Sequence, residues 1–255
     1  MLKEIIIAFQ SYVDAHRFIV KHKMWVWILV TGISYSVLFF ASMYFFWTTS
    51  SQVIEYAINS SGATSWLLQY KESFWGLIIV LIRLGVQLIL FFLYFSLFKY
   101  IFLIIGSPLF AYLSEKTAAL IEGREFPFSF SQLIKDIGRG IKIALRNSLW
   151  QTVYALSILI LSFIPLVGLA TAVLAFLIEC YYLGFSMLDY SCERNKLSTS
   201  QSIEFIGEHK GLAIGNGIVF YLMHLLIFVG WILAPTYAVV AATLSLYKSQ
   251  HRQLP

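Results

Sequence analysis

The residues of this chain whose types and spacing could do chemistry are cations, and the chemistry is anion binding. Lys21, His22 and Lys23 form a basic cluster just ahead of the first apolar block. Positive charge at a helix N-terminus favours an oxyanion, and equally anchors a span on the cytoplasmic side. Arg83 stands inside a long apolar stretch. A charge there is a functional candidate by default, the alternative being an arginine near the headgroups of a tilted helix. Lys135, Arg139, Lys142 and Arg146 recur every three or four residues. That spacing makes a basic stripe on one side of a helix, with Ile134, Ile137, Ile141 and Leu145 on another. The stripe either binds lipid phosphates at the interface or forms a wall for an anion.

Nothing comparable supports catalysis. The chain carries no Walker loop, no HExxH, no G-x-S-x-G and no Cys/His cluster at ligand spacing. No enzymatic activity, metal or cofactor is therefore expected. The glycines at 211, 215 and 217 open an apolar block and follow no strand, which suits helix packing better than a phosphate cradle. Ala234, Ala238 and Ala242 have the same small-xxx-small spacing. His224 lies within an uncharged block, where it either bonds in packing or relays protons. Cys180 and Cys192 are expected to be structural thiols.

The elements that must position these groups are membrane helices. Charged residues are 12% and hydrophobic residues 59% of the chain, whereas a soluble domain carries ~25% charged. No apolar block alternates, which excludes the strands of a membrane barrel. The expected fold class is an all-α integral membrane protein, a single domain over 1–255. It has two long transmembrane helices (24–47 and 73–105), two partly inserted helical hairpins (147–178 and 211–247), and amphipathic interfacial helices. The hairpins follow from length. Both blocks lack Asp, Glu, Lys and Arg, yet each is too long for one span of ~20 residues and short for a down-and-up pair of ~40. Each also has breakers, Pro165 and Gly168 in the first and Gly230 and Pro235 in the second.

Residues 2–22 are expected to lie at the interface, with Ile6, Phe9, Val13 and Phe18 partly on one side. The first apolar block is expected to be a signal anchor, with no cleavable leader before it. Residues 47–71 form an external connection, and Gly106-Ser107-Pro108 ends or kinks the second span. The bases concentrate before residue 24, over 115–146, in the later loop and in the tail. That bias puts both termini in the cytoplasm. Headgroup binding accounts for the net charge of +5, so nucleic acid is not needed as a partner.

Four segments then form a pattern. Ser107-Pro108-Leu109-Phe110 leads into Glu115-Lys116, a Pro-Phe/Leu motif with its following amphipathic helix. Lys135-Asp136, Arg139 and Lys142 lead to Phe163-Ile164-Pro165-Leu166-Val167-Gly168, a basic helix and an Ile-Pro-x-x-Gly hairpin tip. Leu188-Asp189-Tyr190 matches an Asp-Tyr-Pro motif, with Ser191 at the proline. Gly215, Leu233-Ala234-Pro235 and Val239-Val240-Ala241-Ala242-Thr243 match a last hairpin. In this order they resemble the CysZ family, bacterial members of the superfamily that includes the etoposide-induced membrane protein.

The resemblance implies a multi-pass homo-oligomer of the bacterial cytoplasmic (inner) membrane. It also implies a channel or permease for sulfate or a related oxyanion, feeding sulfur assimilation without an ATPase of its own. That family's anion motif, Gly-Leu/Ile-Arg at the start of the first span, is replaced here by Lys21-His22-Lys23-Met24-Trp25. Lys21, His22, Lys23 and Arg83 are accordingly the anion-binding candidates. The other function these residues allow is a non-transporting membrane protein that binds lipid or partners and organises the bilayer.

Overall fold

A computed structural model describes residues 1–60, 62, 74–125, 130–164, 167–226 and 229–251, and the elements among them are all α-helices. In order these are α1 (Leu2–Lys21), α2 (Trp25–Ser60), α3 (Phe74–Glu122), α4 (Phe130–Ser162), α5 (Val167–Arg194), α6 (Thr199–Glu208), α7 (Lys210–His224) and α8 (Val229–His251). Among the described residues three stretches are long and apolar enough to cross a bilayer, Trp25–Ser60, Ala170–Glu193 and Val229–Ser249. The chain is a membrane protein. It divides into two compact units, Met1–Ser36 with Leu103–Pro255, and Val37–Phe102.

The larger unit is built on close backbone approach. Where α5 meets α7, a Cβ on Gly184 would overlap the Ala213 carbonyl, and one on Gly217 the Cys180 carbonyl. Only glycine fits at these two points. The opposite side of α7 sets Gly211 and Gly215 against Met1, Glu4, Ile5 and Ala8 of α1. Ala234, Ala238 and Ala242 are fully buried on α8, which packs on α1, α5 and α7. Polar groups then fasten the apolar contacts. Tyr12 donates to the Asn216 carbonyl at 2.9 Å, and Asn216 Nδ2 donates to Ser245 Oγ at 3.0 Å. Burial pushes the Tyr12 phenol far up, so it stays a neutral donor. Ser114, Ser191 and Thr243 close a buried hydroxyl triangle with sides of 3.0 to 3.1 Å, joining α3, α5 and α8.

Turn chemistry explains how α1 passes into α2. Met24 N–H bonds the Ile19 carbonyl at 2.9 Å and Lys23 N–H bonds that of Val20 at 3.2 Å, with Lys23 left-handed at φ 52°. This is a Schellman cap, with Met24 and Ile19 both buried as its apolar pair. α5 ends the same way, with Lys196 at φ 60° and Leu197 N–H bonding the Cys192 carbonyl at 3.2 Å. α1 packs one side into the larger unit. Its Ala8, Ala15 and Ile19 side is buried, while Ile6, Phe9 and Val13 stay exposed.

α4 and α5 form an antiparallel hairpin, since Arg139 meets Asp189 and Gln151 meets Glu179. At its turn Gly168 N–H bonds the Ile164 carbonyl at 2.9 Å, and a Cβ on Gly168 would press on the Ser162 carbonyl at 2.7 Å. Pro165 lies outside the described residues, as do the aromatic run at 126–129 and most of 61–73. The second hairpin turns after His224 and resumes at Val229. Pro235 is not its breaker. It sits inside α8 between buried Ala234 and Thr236, because surrounding helices hold the backbone where a proline would free it. Pro108 is likewise inside α3, so the second span does not end at Gly106-Ser107-Pro108.

In the unit Val37–Phe102, Tyr94 is the fulcrum. Its hydroxyl donates to the Phe39 carbonyl at 2.8 Å and lies 3.0 Å from Ser42 Oγ. Phe39, Phe46 and Phe98 surround its ring at centroid distances of 5.3 to 5.9 Å. α2 runs past Trp47 to Ser60 instead of entering a loop. Hydroxyls beyond Trp47 turn back on their own helix, Thr48 to the Tyr44 and Phe45 carbonyls, Ser50 to that of Trp47 and Ser60 to that of Ala57.

Candidate functional site

The Lys21–His22–Lys23 cluster occupies the α1–α2 cap; Lys21, the last residue of α1, and the left-handed Lys23 are exposed and His22 is half-buried. His22 stacks on Phe18 at 4.3 Å. Partial burial, and then the Lys21 charge, hold its pKa below the ordinary histidine value. No carboxylate pairs with Lys21 or Lys23 among the described residues. One turn into α2, Trp27 lies 4.5 Å from Tyr112, and Lys116 Nζ stands 4.8 Å from the Trp27 ring centre. The aromatic faces hold a cation there without neutralising it.

Arg83 lies in the other unit, 3.7 Å from Glu55, in an ion pair whose side chains are 55% and 64% exposed. The charge is therefore compensated in place by a partner on α2.

The stripe on α4 divides. Lys135 and Lys142 are exposed, and so are Ile134, Ile141 and Leu145. Arg139 instead turns inward. Its Nε and Nη2 donate to the two carboxylate oxygens of Asp189 at 3.2 and 2.8 Å, the bidentate fork a guanidinium is shaped for. Nη1 donates to the Leu197 carbonyl and Nη2 to Ser202 Oγ, each at 2.5 Å, and Glu193 lies 3.8 Å away. The pair is nearly dry, with side chains 11% and 4% exposed. Burial pushes the Arg139 pKa down most, but the Asp189 bond and charge, with Glu193, reverse that and hold it above the usual value. Arg139 thus ties α4 to α5, to the following cap and to α6. Beside it, Leu103, Gly140, Ile143, Ala144, Ser186, Asp189 and Tyr190 enclose about 10 Å³, room for one water and none for a tetrahedral anion.

Arg146, two turns on, behaves differently. It lies over the Phe185 ring at 5.5 Å and donates to Asn147 Oδ1 at 3.0 Å. One further turn along α4, Gln151 donates to Glu179.

His224 takes the packing role, with Nε2 at 2.6 Å from the Tyr35 hydroxyl and Phe220 alongside. Cys180 and Cys192 are buried and unbridged. Among the described residues no three His, Cys, Asp or Glu side chains gather as for a metal. Asp189 is the buried charge that sequence reasoning left without its partner. A signal was present. With the hairpin turn near 164–165, residue 139 falls opposite 190, and Asp189 and Glu193 lie one turn apart there.

Comparison with known proteins agrees with this picture. The family model described as sulfate transporter CysZ/etoposide-induced protein 2.4 matches residues 11–235. A sulfate transporter CysZ of Pseudomonas aeruginosa is 29% identical over 181 residues, 70% of each chain. One from Pectobacterium atrosepticum is 28% identical over 212 residues, 82% of this chain and 74% of its own. A Pseudomonas fluorescens relative of the same name is 29% identical over 70% of this chain and 69% of its own. All three are named as transporters and not as enzymes, in line with the non-catalytic expectation.

Proposed function

This chain belongs to the sulfate transporter CysZ/etoposide-induced protein 2.4 family, and we propose that it is a channel or permease for sulfate or a closely related oxyanion. The family match over residues 11–235 is the observation that carries the proposal. The exposed Lys21 and Lys23, beside half-buried His22, suit the first contact of an anion arriving from water, and the N-terminus of α2 adds its partial positive charge. Arg83 serves as a further contact once the anion competes with the exposed Glu55.

Partial insertion of the hairpins draws its support from the short arm of the second one. α7 has 15 residues, a rise of about 22 Å against a hydrocarbon core of about 30 Å. Its companion α8 is a candidate span. In this arrangement the protein sits in the bacterial cytoplasmic membrane with both termini in the cytoplasm, works as a homo-oligomer, and supplies sulfur assimilation.

Radiolabelled sulfate uptake into proteoliposomes of the purified full chain tests the proposal. Saturable flux that falls in Lys23→Ala and Arg83→Ala is expected. Flux no greater than in empty liposomes, from monodisperse protein, refutes it.

A second function draws on the outer side of α4, where exposed Ile134, Ile141 and Leu145 accompany Lys135 and Lys142. That combination suits a non-transporting protein that binds lipid and organises the bilayer. Vesicle binding that survives neutralising Lys135 and Lys142 sinks this alternative.

A further inference from the structure

Asn147 is a buried amide with half of its hydrogen bonding unmade. It is 1% exposed. Its Oδ1 accepts from Arg146. A guanidinium only donates, so the amide must point its oxygen at Arg146, and its orientation is fixed. Nδ2 is then left with no acceptor among the described residues. A buried donor without a partner is costly, so such a group marks a place for something else to bind.

Arg146 supplies the second half. No carboxylate of the described residues comes within ion-pair reach of it; it bonds Asn147 Oδ1, lies over the Phe185 face and has the Tyr181 and Tyr182 phenols in its neighbourhood. Arg139, on the same helix and facing the same α5, makes four hydrogen bonds and an ion pair. Two turns separate a saturated arginine from one that still offers donors. Glu179 is held one turn further on by Gln151 and lies on the far side of Asn147 along α4.

An unmet buried N–H beside a guanidinium with no carboxylate partner suits a ligand that is acceptor-only and negative. We propose that Arg146 and Asn147 form a binding point for a tetrahedral oxyanion within the α4–α5 hairpin. The proposal rests on the transport reading above for its ligand, and adds a contact inside the protein to those at the α1–α2 cap. One oxyanion oxygen takes Asn147 Nδ2, and the guanidinium edge turned from Asn147 Oδ1 takes another. Free sulfate and the phosphodiester of a lipid headgroup share this chemistry.

The test uses the full chain in nanodiscs of phosphatidylcholine, or of phosphatidylcholine with phosphatidylglycerol. Radiolabelled sulfate binding is measured, and retained phosphatidylglycerol is counted by native mass spectrometry. Arg146→Gln removes the charge. Asn147→Asp keeps the volume but places a carboxylate on Arg146, filling the site from within. Lys3→Gln, at an exposed position of α1, controls for net charge. Circular dichroism and monodispersity report folding, and Arg146→Lys stands in if either variant is unstable.

If sulfate is the ligand, both variants weaken its binding by about tenfold or more, as expected for a lost charge-assisted bond, and Lys3→Gln does not. If the headgroup is the ligand, phosphatidylglycerol suppresses sulfate binding in the wild type, and both variants lose the retained lipid. Variants that bind sulfate and lipid like the wild type overturn the site, as does a wild type that binds neither. Flux separates the two proposals. Binding without flux refutes transport alone, and wild-type flux and binding in both variants refute this site alone.

Discussion

Breaking the Arg139–Asp189 pair from each side gives the most decisive energetic test of the fold. Asp189→Asn keeps the shape and removes the charge. Arg139 then loses two charge-assisted bonds but keeps the Leu197 carbonyl, Ser202 Oγ and the Glu193 charge. A cost of about 2 kcal/mol follows. Arg139→Met leaves a carboxylate that is 4% exposed without its cation, which costs about 4 kcal/mol. Independent effects would sum to about 6 kcal/mol, but in the double variant the carboxylate at 189 is gone and only the Glu193 contact is lost besides, so it should cost about 3 kcal/mol, a coupling of about 3 kcal/mol. Equilibrium unfolding in mixed detergent–SDS micelles, followed by far-ultraviolet circular dichroism, measures all four proteins. Additivity within about 0.5 kcal/mol would refute the claim that the two side chains act as one unit.

Other variants probe the backbone. Lys23→Gly and Lys196→Gly, at φ 52° and 60°, should each stabilise by about 0.5–1 kcal/mol in the same assay, since a left-handed conformation favours glycine. An unchanged or lower stability would contradict the cap geometry. Gly184→Ala and Gly217→Ala push a Cβ into a carbonyl and should cost about 3 kcal/mol, the upper end for overpacking. Gly138, with nothing within 4 Å of its Cβ position, should accept alanine and gain about 0.5–1 kcal/mol in helix propensity.

What was legible in the sequence was what local rules govern. Long blocks without charge, such as 147–178, announce helices in a membrane, and the glycines of 211–217 announce close packing. Thr48 and Ser50 misled because polarity usually marks a loop, whereas in an apolar helix hydroxyls return to carbonyls one turn back. Pro235 and Pro108 misled because the breaker rule is local, and tertiary packing overrides it. Arg139 was legible as a base on a helix but not as half of a buried pair, because its partner is 50 residues away and the stripe pattern carries no register across a turn. The freedom of Arg146 was hidden for the same reason. Sequence spacing treats the two arginines alike, and only α5 distinguishes them.

The Ser114–Ser191–Thr243 triangle has a consequence for which residues can drift. Thr243 also donates to the Val239 carbonyl at 2.9 Å, so three hydroxyl protons face four contacts. One contact always lacks a hydrogen, the equivalent of an empty-bond defect in ice. Removing either serine brings supply and demand into balance, since the remaining one donates to Thr243 and Thr243 to Val239. Removing the threonine hydroxyl does the reverse, leaving two serine protons for one contact. Chains descended from a common ancestor can thus exchange Ser114 or Ser191 for alanine with little penalty, while position 243 is held to a hydroxyl by proton arithmetic alone.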